Sequence, residues 1–223
     1  MLTVIIDAAS SDLKNRMISK RKFIMSWDQR FSGEEYLFGV KPAQALVKLE
    51  KYLVPNGRTL VVADGEGRNS VYLATKGLDV VATDFSEVGI DKAKALAAQK
   101  NVDVDYRHCD IHEQDWSAEK YDNVVAIFIQ FVTPSEIKKI FEGLQSAVKL
   151  GGTLLIHGYT PEQIKYGTGG PSNPDHMYTE ELLASSFANM SIKLNRAYYA
   201  EISEGTGHSG QSALIDLVAE AVR

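Results

Sequence analysis

Gly65 and Gly67 stand directly after the apolar run Thr59-Leu60-Val61-Val62-Ala63, and Asp84 follows 19 positions after Gly65, at the end of a second apolar run. Lacking a Cβ, each glycine lets the backbone turn sharply and approach a ligand closely, while the amides that open the next helix offer hydrogen bonds and a positive dipole. A carboxylate at the spacing of Asp84 suits the two ribose hydroxyls of an adenine nucleoside. The loop Asp64-Gly65-Glu66-Gly67-Arg68-Asn69 together with Asp84 therefore reads as a nucleoside-binding constellation. A bare Gly-x-Gly also serves ordinary strand-to-helix turns, so its weight comes from the surrounding pattern.

The ligand class follows from charge. A dinucleotide fingerprint would place a third glycine where Ser70 stands, and the carboxylates of Asp64 and Glu66 would repel a pyrophosphate. They are tolerable beside S-adenosylmethionine, whose ammonium and sulfonium are cationic. A methyl donor is favoured over NAD, with a nonenzymatic S-adenosylmethionine or nucleotide sensor and an NAD-dependent oxidoreductase as the alternatives.

Further residues fall around this centre. Asp110, after the third apolar segment, is placed to accept from the adenine amino group, with Cys109 or Ile111 against the ring, and a solvated aspartate reads equally well. Phe85 packs on the adenosine or in the core, Ser86 can cap the next helix, and Phe128 closes the fourth strand beside the same site. Arg30 offers a fork for a cofactor carboxylate, for the substrate or for a surface ion pair. Trp27 and Tyr36 line the pocket or anchor the N-terminal segment. His157, Tyr159 and His208 are candidates for a base or an acceptor contact, each equally legible as a packed side chain, so no catalytic residue is assigned. Methyl transfer needs positioning and water exclusion more than a fixed triad. His157, His176 and His208 lack metal-ligand spacing, and no metal is expected.

The elements that must hold these residues follow from periodicity. Apolar positions at three- and four-residue steps from Pro42 to Leu53 describe a helix, broken by Pro55-Asn56-Gly57. The pattern then gives strand 59–63, helix 69–76 stopped by Gly77, strand 78–83, and a Ser86-capped helix to Ala97. Next come an alternating strand 102–106, a strand 121–128, a helix 135–150 ended by Gly151-Gly152, and a strand 153–157. Right-handed crossovers place these five strands in one parallel sheet. Two extended segments, 192–202 and 212–222, suggest a terminal antiparallel pair. The stretch from Tyr159 to Met177, rich in glycine and proline, reads as an irregular loop beside the site.

Bulk properties narrow the partners. A chain of 223 residues with 44% hydrophobic and 24% charged residues suits a single domain, here 26–223, preceded by an extension over 1–25 that carries Lys14, Arg16, Lys20, Arg21 and Lys22. Met25 is a candidate start. The net charge of -5 argues against nucleic acid and for a small-molecule partner. The single cysteine, Cys109, allows no intrachain disulfide and suits a reducing cytoplasm. No run is long and apolar enough for a membrane span, so a cytoplasmic protein is expected.

The run Val61-Val62-Ala63-Asp64-Gly65-Glu66-Gly67-Arg68-Asn69-Ser70-Val71-Tyr72-Leu73-Ala74, followed by Thr83-Asp84-Phe85-Ser86 and Gly89, resembles the class I S-adenosylmethionine-dependent methyltransferases of the bacterial TehB (tellurite resistance) and thiopurine methyltransferase group. Trp27-Asp28-Gln29-Arg30-Phe31, Glu35-Tyr36-Leu37-Phe38-Gly39, Tyr159-Thr160-Pro161-Glu162-Gln163, Gly167-Thr168-Gly169-Gly170-Pro171 and His208-Ser209-Gly210 extend the likeness over residues 26–220. It implies a Rossmann-like α/β fold: a seven-stranded, mostly parallel sheet with helices on both faces, a C-terminal antiparallel hairpin, and a segment around Trp27 to Gly39 folded over the cofactor. The loop departs from the usual class I form at Val61, where an acidic residue is usual, and at Ala63 for glycine, although some relatives share its Ala-acid-Gly-Glu-Gly form, and His157 stands where a glutamate is expected. Acceptors consistent with the likeness are thiols, chalcogen oxyanions and similar small molecules.

Overall fold

Seven strands form one sheet in the order β3-β2-β1-β4-β5-β7-β6 in a computed structural model that describes residues 27–222. The readings of 1–25 as an extension and of Met25 as a start lie outside the described residues. The strands are β1 (Arg58–Val62), β2 (Asp79–Asp84), β3 (Asp105–His108), β4 (Tyr121–Ile127), β5 (Val148–Tyr159), β6 (Ser191–Glu204) and β7 (His208–Glu220). β1 to β5 pair in parallel, while β7 runs antiparallel to both β5 and β6. The mostly parallel sheet with a terminal antiparallel hairpin is as the sequence implied.

Strict alternation explains why the central strands read as continuous apolar runs. Leu60, Val62, Val81, Val124, Ala126, Leu154 and Ile156 face one side, where they meet Ile140, Phe141 and Leu144 of helix α4 (Pro134–Ala147). Val61, Val80, Ala82, Val125, Ile127 and Leu155 face the other and meet Leu46 and Leu49 of α1 (Gln44–Leu49) and Leu73 of α2 (Arg68–Thr75). With both faces covered, no polar side is needed.

Several boundaries differ from expectation. The helix capped by Ser86, α3 (Glu87–Lys100), runs past Ala97 and ends where Asn101 takes a left-handed φ of 56°; the amides of Asn101 and Val102 turn back to the carbonyls of Ala98 and Ala97. Those bonds use the donors a strand at Val102 would need, so β3 starts only at Asp105. Helix α4 stops at Ala147, not Leu150, because Val148 already pairs with Tyr121, and Gly151 and Gly152 sit inside an irregularity of β5 that exchanges bonds with Ala221. The stretch after Tyr159 contains two 3-10 turns, Pro161–Lys165 and Pro174–His176. A further short helix, α5 (Glu180–Ser186), is capped by the Thr179 side chain.

The strand order reverses between β1 and β4, so the connections leaving them diverge. In an open parallel sheet that divergence creates the ligand crevice at the carboxyl ends of the strands.

Candidate cofactor and acceptor site

The loop after β1 turns through left-handed backbone at Ala63 (φ 50°), Gly65 (φ 61°) and Gly67 (φ 88°). At Gly67 only hydrogen fits, since a Cβ would lie 2.6 Å from the Ala93 Cβ on α3. The loop therefore seats α2 directly against α3, with its amides facing the crevice. Asp84, at the tip of β2, ties this loop down. Its two oxygens accept from the Gly65 amide at 2.7 Å and the Ser86 amide at 2.8 Å. Burial raises the Asp84 pKa, and the amides of Ser86, Gly65 and Phe85 oppose that rise. Each oxygen retains acceptor capacity beyond its one amide.

Asp64 is more deeply committed. Its carboxyl accepts from the Ser70 amide at 3.2 Å and from the Ser70 hydroxyl. Burial pushes its pKa up to about 7, against the lowering effect of the Ser70 bonds and with Asp84 adding repulsion.

Residues 27–39 lie over the crevice and are fastened from three directions. Glu66 accepts from the Leu37 amide at 2.8 Å and pairs with Lys92, whose ammonium also donates to the carbonyls of Phe31, Gly33 and Glu35. Arg68 donates to the Phe38 carbonyl at 3.3 Å and to Glu204 at 2.7 Å, both partners of that ion pair being buried. From the β6–β7 turn, the amides of Thr206 and Gly207 donate to the Leu37 carbonyl. Trp27, Phe31 and Phe38 thereby become a roof of rings with centroids 5.3 to 6.4 Å apart.

Beneath the roof is a cavity that encloses, with its mouth, about 840 Å³. Its floor is formed by Ala63, Asp64, Gly65, Arg68 and Asn69 from the first loop, Thr83, Asp84 and Phe85 from β2, and Cys109, Asp110 and Ile111 from the end of β3. Ile127, Phe128, Phe131 and His208 close the far wall. His208 is buried, and its pKa is pushed down to about 3 by that burial and by the nearby Arg68, His157 and Arg30.

Several expected site residues stand elsewhere. Glu66 faces the roof segment and Lys92, so repulsion of a pyrophosphate comes from Asp64 and Asp84 rather than from Asp64 and Glu66. Gly67 packs on α3, and Ser86 accepts from the Gly89 amide to cap that helix while donating its hydroxyl to Asp28 of the roof segment. Tyr36 donates to the Lys92 carbonyl and receives the Lys92 ammonium over its ring at 4.8 Å. Arg30 stacks over Trp27 at 4.1 Å, outside the lining. His157 is buried against Asp216 at 2.7 Å, and Tyr159 lies behind Phe128. Conversely, Phe31, Phe38, Ala63, Thr83, Ile127 and Phe131 line the cavity without having been singled out for it. The signal for the two roof rings lay in the aromatic anchors flanking Gly39. Among the described residues no group of three or more histidine, cysteine or acidic side chains could hold a metal ion, and no helix is long and apolar enough to cross a membrane.

This architecture can be set beside known proteins. Residues 60–152, from β1 into β5, match the methyltransferase domain family. The match is to a methyltransferase domain over less than half of the chain. It is 31% identical over 147 residues to the demethylmenaquinone methyltransferase of Renibacterium salmoninarum, covering 65% of this chain and 57% of that protein. It is 28% identical over 100 residues to the probable S-adenosyl-L-methionine-dependent methyltransferase TehB of Haemophilus influenzae, covering 44% of this chain and 35% of that protein. The matched stretches thus span less than two thirds of either relative. The crystal structure of Haemophilus influenzae TehB shares the fold, with a TM-score of 0.64 at 20% identity over 79% of this chain and 61% of that one. The matched stretch and the fold are thus similar to those of class I, TehB-like methyltransferases, as the motifs imply, and S-adenosylmethionine is the cofactor that accords with that likeness.

Proposed function

We propose that the protein transfers a methyl group from S-adenosylmethionine to a small-molecule acceptor. The observation that carries this reading is the convergence of the β1 loop, the Asp84 carboxylate and the Cys109–Ile111 strand end in one cavity under the Trp27, Phe31 and Phe38 rings. Asp84 would take the ribose hydroxyls with the acceptor capacity its two amide bonds leave. Asp110 would take the adenine amino group, with Ile111, Phe85 and Cys109 against the ring. Phe128 and Asn69 complete the wall on either side. The loop amides and the Asp64 carboxyl would face the amino-acid end, where a cationic ligand favours the ionised form of Asp64.

S-adenosylmethionine supplies a methyl group already activated on a sulfonium, whose transfer leaves the C–S electron pair on sulfur. What the chain contributes is placement and dryness: the roof excludes water, and the cavity wall orients the acceptor for in-line attack. No obligatory base is required for an acceptor that reaches the site as an anion. Small acceptors fit the enclosed cavity, and the net charge of -5 disfavours a nucleic-acid acceptor.

The test is a screen of small acceptors with purified protein and methyl-labelled S-adenosylmethionine, with Asp84→Ala alongside. Label transfer that falls in the variant is the expected result. Binding of S-adenosylhomocysteine without transfer to any acceptor would favour a sensor, and tighter binding of NADH than of S-adenosylhomocysteine would favour an oxidoreductase.

A further inference from the structure

His157 and Asp216 form a buried polar pair that the methyl-transfer reading leaves unused. β5 and β7 run antiparallel with these two residues directly opposite each other, on the sheet face that Leu155 and Val218 share. His157 Nδ1–H donates to Asp216 Oδ1 at 2.7 Å, and both side chains are all but sealed, at 1% and 4% exposure. From β6 the Tyr198 hydroxyl donates to the same oxygen at 3.3 Å. One carboxylate oxygen thus fixes a ring on each neighbouring strand. Stability alone does not call for such a pair, because apolar side chains of similar volume often serve a buried position as well or better. What a hydrogen bond adds is direction: it sets the rotation of the imidazole, which non-directional apolar packing leaves freer.

The ring so fixed is the backing of Phe128. Their centroids are 4.6 Å apart, and the two rings meet edge to face at 73°. His157 supplies a second hold through its backbone, since the Phe128 amide donates to the His157 carbonyl at 2.9 Å. Phe128 needs such holds. Its φ of 56° is a left-handed conformation that bulky side chains seldom adopt and that persists only where the surroundings over-determine it. Tyr159 and His208 also pack on the Phe128 ring, at 4.8 Å and 4.2 Å. Tyr159 Oη and His208 Nδ1, however, find no hydrogen-bond partner among the described residues, so neither ring is anchored there. His157 is therefore the neighbour whose ring a buried side chain holds in place. Phe128 in turn forms part of the far wall of the cavity, which neither His157 nor Asp216 lines.

We propose that His157 is a positioning residue: oriented by Asp216, it holds Phe128 in the left-handed conformation that presents the phenyl ring to the cavity, and so sets the depth of the space in which the cofactor lies. The pair acts on the ligand only through that ring. This rests on the methyl-transfer reading, because it takes the wall as one boundary of the S-adenosylmethionine cavity.

The experiment is titration calorimetry of S-adenosylhomocysteine into the full chain and its variants, with melting temperatures alongside. Asp216→Leu, which takes the acceptor from His157, should weaken binding about fivefold, whereas Asp216→Asn, which keeps an acceptor oxygen, should stay within about twofold of wild type. Where Asp216→Leu does not fold, His157→Leu combined with Asp216→Leu strands neither member of the pair, and it should show the same loss at a melting temperature near that of wild type. In a Phe128→Leu background the loss is expected to vanish, because the pair acts through that ring. A merely structural pair makes a separate forecast: a lower melting temperature with affinity unchanged, or the same loss of affinity with and without Phe128. Either result, or a loss in Asp216→Asn as large as that in Asp216→Leu, would overturn the proposal. Failure of S-adenosylhomocysteine to bind the wild-type chain would instead overturn the methyl-transfer reading and this inference with it.

Discussion

Asp64 shows how much a single side chain in the β1–α2 loop is set by its surroundings. Its carboxyl is raised to about 7 by burial, whereas in the unfolded chain it titrates near 3.8. Between those values the folded protein holds a proton that the unfolded chain has lost, so stability falls as pH rises from about 4 to 7. Asp64→Asn keeps an acceptor for the Ser70 amide and gives the Ser70 hydroxyl a donor, and it removes the ionisation. Urea unfolding should show the variant close to wild type at pH 4 and more stable above pH 7, by on the order of 4 kcal/mol at most. Equal stability of the two proteins at pH 8 would mean that Asp64 ionises without penalty. The loop was legible in sequence as a ligand-binding turn because its glycines mark special backbone. Which way its side chains point was not. Glu66 faces the roof because Lys92 and the Leu37 amide lie there, partners 26 and 29 positions away that no local pattern connects to it.

At the scale of elements, the roof segment depends on the β6–β7 hairpin as well as on the β1–α2 loop. Glu204 binds Arg68 and also accepts from the Gln44 amide at 2.9 Å, so one buried carboxylate joins the hairpin, α1 and α2. Glu204→Ala strands a buried guanidinium and is expected to cost about 3–5 kcal/mol, measured by urea denaturation. It should also speed hydrogen exchange of the Thr206 and Gly207 amides that hold Leu37. Slow exchange with wild-type stability would show that the pair is dispensable. The elements themselves were largely readable, since two-sided burial makes apolar runs and helix caps leave Ser86 and Gly77 as signals. β3 was displaced because Val102-Asp103-Val104 alternates like a strand while the Asn101 cap takes its donors. α5 went unread because a helix of 7 residues, Glu180–Ser186, buries only Leu183 and has too little periodicity to stand out.

For the molecule as a whole, strand order was accessible through the β-α alternation and the family likeness, whereas the roof over the crevice is a product of long-range bonds. A ligand held between roof and sheet should stabilise the entire fold. With S-adenosylhomocysteine at about 100 times its dissociation constant, the gain should be roughly 2.7 kcal/mol, which scanning calorimetry would register as a melting temperature raised by about 5–10 °C. No rise at saturation would mean that the ligand binds folded and unfolded chains alike, or not at all. The central claim is that the Gly65–Asn69 loop and Asp84 form a single S-adenosylmethionine site. It is tested most directly by titration calorimetry of S-adenosylhomocysteine into wild type and Asp84→Ala, with folding of the variant checked by circular dichroism. Micromolar or tighter binding to wild type, weakened by about 1–3 kcal/mol in Asp84→Ala, is the predicted result. An unchanged affinity in a folded Asp84→Ala protein, or no binding to wild type, would contradict it.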